Sequence, residues 1–281
     1  MCAINLIFAY KDFKVIVSEN NADNLAVMPS KNNTKEILVY DNRLNTELVF
    51  NDDFTARDFD LFFTLLYLAK KNVTQKKGKT IYMSFDQLTK FLSNGAYKNK
   101  NRFYKNVCTF LDKAKDIRTF FSTEAINANL KKNKKKITGA IFFEELKVDE
   151  ATKTASFRLS DGAYDFLFFF EKFIQLNLYE FCSLQKKGSK ILFRLLIQFK
   201  NLPIDKASGL KELILSKDEF YKFIKPSTTY RPADIDRKIL TPAIKELEEG
   251  NYFKTVLCER VKSNLETINY KIIFDDSNRK Q

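Results

Sequence analysis

The second half of this chain repeats the first, and that duplication limits the fold more than any other feature. At one constant spacing, Phe193-Arg194-Leu195-Leu196-Ile197 falls on Leu61-Phe62-Phe63-Thr64-Leu65. At the same spacing, Leu215-Ser216-Lys217-Asp218-Glu219-Phe220 falls on Met83-Ser84-Phe85-Asp86-Gln87-Leu88, and Lys222-Phe223-Ile224 on Lys90-Phe91-Leu92. One inserted residue later, Tyr230 meets Tyr97, Lys238 meets Lys105, Leu240 meets Val107 and Ile244 meets Leu111. Both copies place a Ser three residues before a Gln or Glu, Ser84 with Gln87 and Ser216 with Glu219. That is the capping box, in which each side chain satisfies a free backbone donor at a helix start.

The local patterns give each copy the same order of elements. Residues 56–71 form a helix apolar on most of its surface, capped by Thr55 or Asp53, and such a helix belongs in a core. A strand at 80–83 and a helix at 84–92 follow. A third helix spans 98–115, with Phe103, Val107, Phe110, Leu111 and Ala114 facing inward. The β segments are 119–122, 137–148 and 154–159, the last two joined by a turn at 149–153. The Phe-rich run 163–173 reads as a helix joining the halves. The second copy has helices at 185–200, 216–224 and about 232–248, then a hairpin from 253–261 and 267–274. Pro232 suits the first position of its helix. Pro242 either kinks that helix or starts a fresh one capped by Thr241. Residues 1–50 read as short strands at 6–10, 13–17 and 37–40 between Asn-rich turns.

Helix, strand, capped helix, turn, longer helix and hairpin make a winged helix-turn-helix. The expected fold is α+β, two tandem winged helix-turn-helix domains related by an internal duplication. The 281 residues suit two domains, placed at 1–160 and 161–281. In this fold the first helix and the apolar faces of the others make the core. The third helix turns its polar face to a DNA major groove and the hairpin reaches the adjacent backbone.

Composition narrows the chemistry. There is no histidine, which removes histidine triads, His-ligated metals and the two-histidine site of rolling-circle nickases. The four cysteines are scattered with no CxxC, which fits a reducing cytoplasm without a disulfide framework. Lys76-Lys77-Gly78-Lys79-Thr80 resembles the end of a phosphate-binding loop, but Val73 stands where that loop needs Gly. No apolar run reaches the ~20 residues that span a bilayer. An enzyme, a cofactor, a metal and a membrane partner are all unexpected.

Lys and Arg total 48 against 35 Asp and Glu, a net charge of +13. An AT-rich genome that favours Lys explains such an excess as well as nucleic acid does, so location decides. The third helix of the first copy carries Lys98, Lys100, Arg102 and Lys105 before its first acid, Asp112. Its counterpart is entered through Thr228, Thr229, Tyr230 and Arg231, then Arg237 and Lys238, interrupted by Asp234 and Asp236. A cationic entry suits a helix whose first turns approach phosphates. The Lys-rich run 131–136 is either a solvated loop tip or a phosphate contact.

The run FCSLQKKGSKILFRLLIQF at 181–199, then LSKDEFYKFI at 215–224, Tyr230, and DRKILTPAIKELEE at 236–249 resembles the C-terminal winged helix of RepB-like plasmid replication initiators, which bind repeated origin sites called iterons. The resemblance covers roughly 55–275 and is strongest over 180–250. It implies two winged helices gripping successive grooves of one iteron, a monomer that initiates replication and a dimer that represses its own gene. It implies dimerisation through the N-terminal unit and main sequence reading by the C-terminal one. Arg231, Arg237 and Lys238 match the family's basic recognition helix by position, and Lys98, Lys100, Arg102 and Lys105 hold the same place in the first unit. The expected partners are double-stranded DNA with direct repeats, a second copy, and host helicase, initiator and chaperone. The alternative is a winged-helix transcriptional regulator without a replication role, bound to one palindrome.

Overall fold

The computed structural model describes residues 36–50, 53–75, 77–92, 100–124, 135–170, 172–264 and 266–278. The strands expected at 6–10 and 13–17, and most of the Lys-rich run 131–136, lie outside them. Strand β1 (Ile37–Asp41) leads through the one-turn helix α1 (Leu44–Glu47) and the short strand β2 (Leu48–Val49) to α2 (Ala56–Thr74). Thr55, rather than Asp53, caps α2. Its hydroxyl accepts the Asp58 N–H at 3.3 Å, and the Asp58 carboxylate accepts the Thr55 N–H at 2.7 Å. Phe59, Leu61, Phe62, Phe63, Leu65, Leu66 and Ala69 are all buried, as a helix apolar on most sides requires.

Strand β3 (Thr80–Ser84), α3 (Phe85–Leu92) and α4 (Lys100–Ala114) follow. Then come β4 (Arg118–Glu124), β5 (Lys135–Ile141), β6 (Phe143–Asp149) and β7 (Thr154–Leu159). The segment expected as one strand over 137–148 is therefore two. Phe142 and Phe143 are both buried, and consecutive residues of one strand cannot face the same side. The chain breaks at Phe142 and passes from a β2-β4-β5 sheet to a β3-β7-β6 sheet. The backbone of Phe142 stays satisfied, donating to the Ile117 carbonyl and accepting from the Ser160 N–H, each at 3.0 Å.

The Phe-rich run also divides. Helix α5 (Asp161–Phe168) is capped by Ser160 and stops, and β8 (Phe173–Asn177) begins within the stretch expected to be helical. Ile174 and Leu176 are buried while Phe173 and Gln175 are exposed, so burial there has period two, not 3.6. Strand β8 pairs antiparallel with β1, from Ile37 opposite Asn177 to Asp41 opposite Phe173. Residues on both sides of the 160/161 division thus share a sheet. The Asn177 side chain caps the short helix α6 (Leu178–Ser183).

The second copy comprises α7 (Lys187–Gln198), β9 (Lys211–Ser216), α8 (Lys217–Ile224), α9 (Pro232–Ile235), a π turn (Asp236–Leu240), α10 (Thr241–Glu249), β10 (Thr255–Ser263) and β11 (Glu266–Asp275). Its sheet order, β10-β11-β9, is that of β6-β7-β3. In each sheet the second hairpin strand lies in the centre and the strand before the helix-turn-helix lies at the edge. Both capping boxes form. Ser84 and Ser216 donate their N–H groups to Gln87 and Glu219 at 2.8 and 2.9 Å, and their hydroxyls accept in return at 3.3 Å. The fold is α+β, two winged helix-turn-helix modules of matching topology.

Helix α7 serves both modules. On one side Phe193 packs its ring against Tyr252 and Phe253 of the second module, at 5.9 and 6.1 Å between centroids. On the other side Lys190, Arg194 and Gln198, four residues apart, line one face. Lys190 is fully buried and donates to Asp60 Oδ1 at 2.5 Å and to the Phe181 carbonyl at 2.6 Å. The Arg194 guanidinium donates from Nε to Asn45 Oδ1 at 2.8 Å and lies 4.6 Å from the Phe63 ring centre. Asn45 completes the chain by donating to Gln198 Oε1 at 2.8 Å.

Burial pushes the Asp60 carboxyl up to about 7, against the pull of the Lys190 ammonium. A carboxyl raised above its unfolded value near 4 binds extra proton in the native state. Its contribution to stability is therefore present at low pH and is lost as pH rises through about 7. The urea midpoint of the wild type, measured relative to Asp60→Asn, is expected to fall from pH 4.5 to 7.5; a constant difference would contradict this. Lys190→Met leaves the buried Asp60 without its cation, so that at pH 8 it must either stay charged unpaired or take up a proton, and is expected to cost about 3–5 kcal/mol by urea unfolding.

Candidate nucleic-acid interface

In the first module α4 buries Phe103, Val107, Phe110, Leu111 and Ala114, none more than 4% exposed. These are the positions that periodicity assigns to the core. Arg102 and Lys105 are accordingly exposed. Lys100 opens the helix; its side chain, like the whole of Lys98, lies outside the described residues. The acid Asp112 pairs with Lys115 at 2.6 Å, away from the cationic first turns.

The matching helix of the second module begins at Pro232, which falls on Lys100 at the spacing that aligns the earlier helices. Ile235 is buried where that spacing puts Phe103, but the next buried positions are Leu240, Ala243 and Leu247. These match Val107, Phe110 and Ala114 only when the spacing grows by one. The inserted residue thus sits inside the helix rather than before Tyr230, where the sequence match put it. The π turn absorbs it, with the Thr241 N–H reaching back five residues to the Asp236 carbonyl. Pro242 supplies a reason. It has no N–H to offer the Lys238 carbonyl and its ring crowds that oxygen, and a wider turn relieves both. Leu240 and Thr241 keep right-handed helical backbone, and Leu240, which precedes α10, offers no side-chain cap. The reading of a fresh helix capped by Thr241 is corrected accordingly.

The turn before this helix is ordered by Ser227, whose carbonyl accepts the Tyr230 N–H at 2.9 Å and whose hydroxyl lies 3.0 Å from that of Thr229. Thr228, Thr229 and Arg231 are exposed. Tyr230 is half-buried, packs on the core, and carries the Lys238 ammonium 4.4 Å from its ring centre. Arg237 and Lys238 are exposed, and both reach back to Asp234. Asp236 instead turns to the wing, where Arg260 of β10 pairs with it at 2.8 Å. Burial raises the Asp236 carboxyl, while Arg260 and Lys262 pull it down. In the first module Tyr104, the counterpart of Asp236, takes the same part: the Lys153 ammonium of the β6–β7 turn lies 5.1 Å from its ring centre. Sequence reading missed Arg260 and Lys262. Their only signal was a pair of cations just before the Ser263-Asn264 turn.

The rear of this helix in the second module is tied to α7. The Glu246 carboxylate accepts the backbone N–H groups of Gln185 and Lys186, at 2.6 and 3.2 Å, and the Ser189 hydroxyl. Three donors at the start of α7 are thereby satisfied by a side chain of its neighbour. Gly188 lets the two helices touch. A Cβ there would stand 3.1 Å from both the Ile239 carbonyl oxygen and its Cγ2.

Residues 37–197 match the family model described as Initiator Replication protein, WH1, and residues 216–274 match Initiator Rep protein, WH2. Among solved structures, the Pi initiator protein in complex with iteron DNA matches with a TM-score of 0.62 at 12% identity, over 87% of this chain and 99% of that one. A selenomethionine structure of RctB domains 2 and 3 and a second RctB structure of the same domains match with TM-scores of 0.44 and 0.43, at 11% and 9% identity. Each covers 78% of this chain and 82% of theirs. No curated protein matches.

Gly188→Val is expected to push the π turn and α10 off α7 and to lower unfolding stability by about 1–3 kcal/mol. An unchanged urea midpoint would show that the contact tolerates a side chain.

Proposed function

The chain belongs to the initiator replication protein family, whose WH1 and WH2 models together cover most of it, and from that premise we propose that it binds repeated origin DNA sites, iterons, and helps open the origin. The observation that carries this reading is the paired design of the reading helices. Each buries an apolar face and leaves cations outward, Arg102 and Lys105 on one, Arg237 and Lys238 on the other. A solved structure of similar fold, that of the Pi initiator protein, holds iteron DNA.

The chemistry follows from the side chains. A guanidinium such as that of Arg237 can pair with guanine O6 and N7, and a good bidentate pair contributes ~1–3 kcal/mol of discrimination. Lys and Arg set against phosphates release counterions, so affinity falls steeply with salt. Bending AT-rich DNA, whose TA steps deform readily, is the proposed mechanical step towards opening. The proposal includes Lys98, Lys100, Thr228, Thr229, Tyr230 and Arg231 as further contacts. It extends to a dimer that represses its own gene, to host helicase, initiator and chaperone as partners, and to action in the cytoplasm. Among the described residues no helix is long and apolar enough to cross a membrane.

Arg237→Ala is expected to weaken binding to the cognate repeat more than to random duplex, by fluorescence anisotropy; equal loss on both would reject base reading by Arg237. Footprints are expected on direct repeats, and protection of a single inverted repeat would favour the transcriptional regulator instead. The proposed role is not catalytic. Supercoiled origin plasmid incubated with the protein and Mg2+ is expected to stay supercoiled, and nicking would overturn that.

A further inference from the structure

The reading helix of the second module carries its own anion. Asp234 has a side chain only 25% exposed, and three donors converge on it. Oδ2 accepts the Arg231 N–H at 3.2 Å, while Oδ1 lies 3.2 Å from Arg237 Nη2 and 3.4 Å from Lys238 Nζ. The Arg231 N–H above all, then Lys238 and Arg237, hold this carboxyl below the usual range. It is therefore ionised at neutral pH. The first module is built otherwise. The matching position there is Arg102, a cation where the second module has an acid.

This asymmetry bears on how each helix meets DNA. A phosphate that draws Arg237 or Lys238 away replaces one anionic partner with another and leaves the Asp234 carboxylate beside the DNA backbone, where it repels. A guanine edge is an uncharged acceptor and imposes no such repulsion. An Arg has five N–H donors, so Arg237 can keep one on Asp234 and turn others to the base. Resting on the DNA-binding reading above, we propose that Asp234 is a specificity-determining residue. It acts as a built-in competitor for phosphate, suppressing binding of the second module to DNA that offers backbone charge alone, while the first module, with Arg102 in that place, attracts backbone charge there.

The test uses the full-length protein and a duplex enriched by the wild type from a random library, with a scrambled duplex of the same composition as the comparison. Asp234→Asn keeps an acceptor for the Arg231 N–H, and an unchanged urea midpoint verifies the fold. The variant is expected to bind the scrambled duplex about fivefold more tightly, as for the loss of one exposed ion pair. Binding to the enriched duplex is expected to stay within about twofold, and the salt dependence on scrambled DNA to steepen by about one counterion. In an Arg237→Gln/Lys238→Gln background the same substitution is expected to change nothing on either duplex. Equal tightening on both duplexes, or no change on scrambled DNA, would overturn the competitor role and leave the DNA-binding reading intact. Failure of the wild type to enrich any sequence would overturn that reading and this proposal with it.

Discussion

The architecture depends on one helix having to satisfy two cores. Helix α7 gives its aromatic side to the second module and places the ammonium of Lys190 and the guanidinium of Arg194 inside the first. Removing such charges from water costs several kcal/mol each, and only partners at hydrogen-bond distance offset that. Asp60, the Phe181 carbonyl and Asn45 are those partners. Apolar residues of similar volume would give as much stability, but they would tolerate sliding. Directional bonds at 2.5–2.8 Å do not. The buried charges therefore act chiefly on geometry, fixing α7 on the first module.

The two modules share a topology and differ where their chemistry differs. The strand order, the capping boxes and the buried helix positions repeat. The π turn is where the repeat slips, and Arg237 and Lys238 lie on that turn. A slip of one residue rotates everything beyond it by about a quarter turn on a 3.6-residue helix. Widening the helix restores Leu240, Ala243 and Leu247 to the core while altering how the two cations project. At Tyr104 and Asp236 the modules use one helix position for one task, contact with the wing, by different chemistry.

Much of this was legible in the residues alone, because repetition doubles each weak signal. The capping boxes, the wide apolar face of α2, the five inward residues of α4 and the two hairpins were all readable. What failed had physical reasons. A run of aromatics has no clear period, so the change from α5 to β8 was hidden until the alternating burial of Ile174 and Leu176 revealed it. The break at Phe142 is a tertiary event, a change of sheet. Pro242 signalled a disturbance in its helix without saying which kind. Lys190 and Arg194 looked like ordinary cations in a Lys-rich chain, since nothing local announces a buried charge whose acid lies 130 residues away. In the candidate site, position picked out helix cations that prove exposed, Arg102, Lys105, Arg237 and Lys238, whereas Arg260 was missed because its pairing exists only opposite Asp236.

Glu246 links α10 to the rest of the molecule. It caps α7 from the back of that helix, and α7 in turn grips the first module through Lys190 and Arg194. If a groove tilted that helix, these contacts would pass the tilt to the start of α7 and onward. Contiguous stiff contacts of this kind make separate binding events share free energy, and such sharing is reciprocal. On the proposed DNA-binding reading, a duplex whose two half-sites are in phase would engage both helices without strain. On that reading, one with the half-sites a few base pairs out of phase would make the second engagement work against the first, so the protein would measure spacing as well as letters.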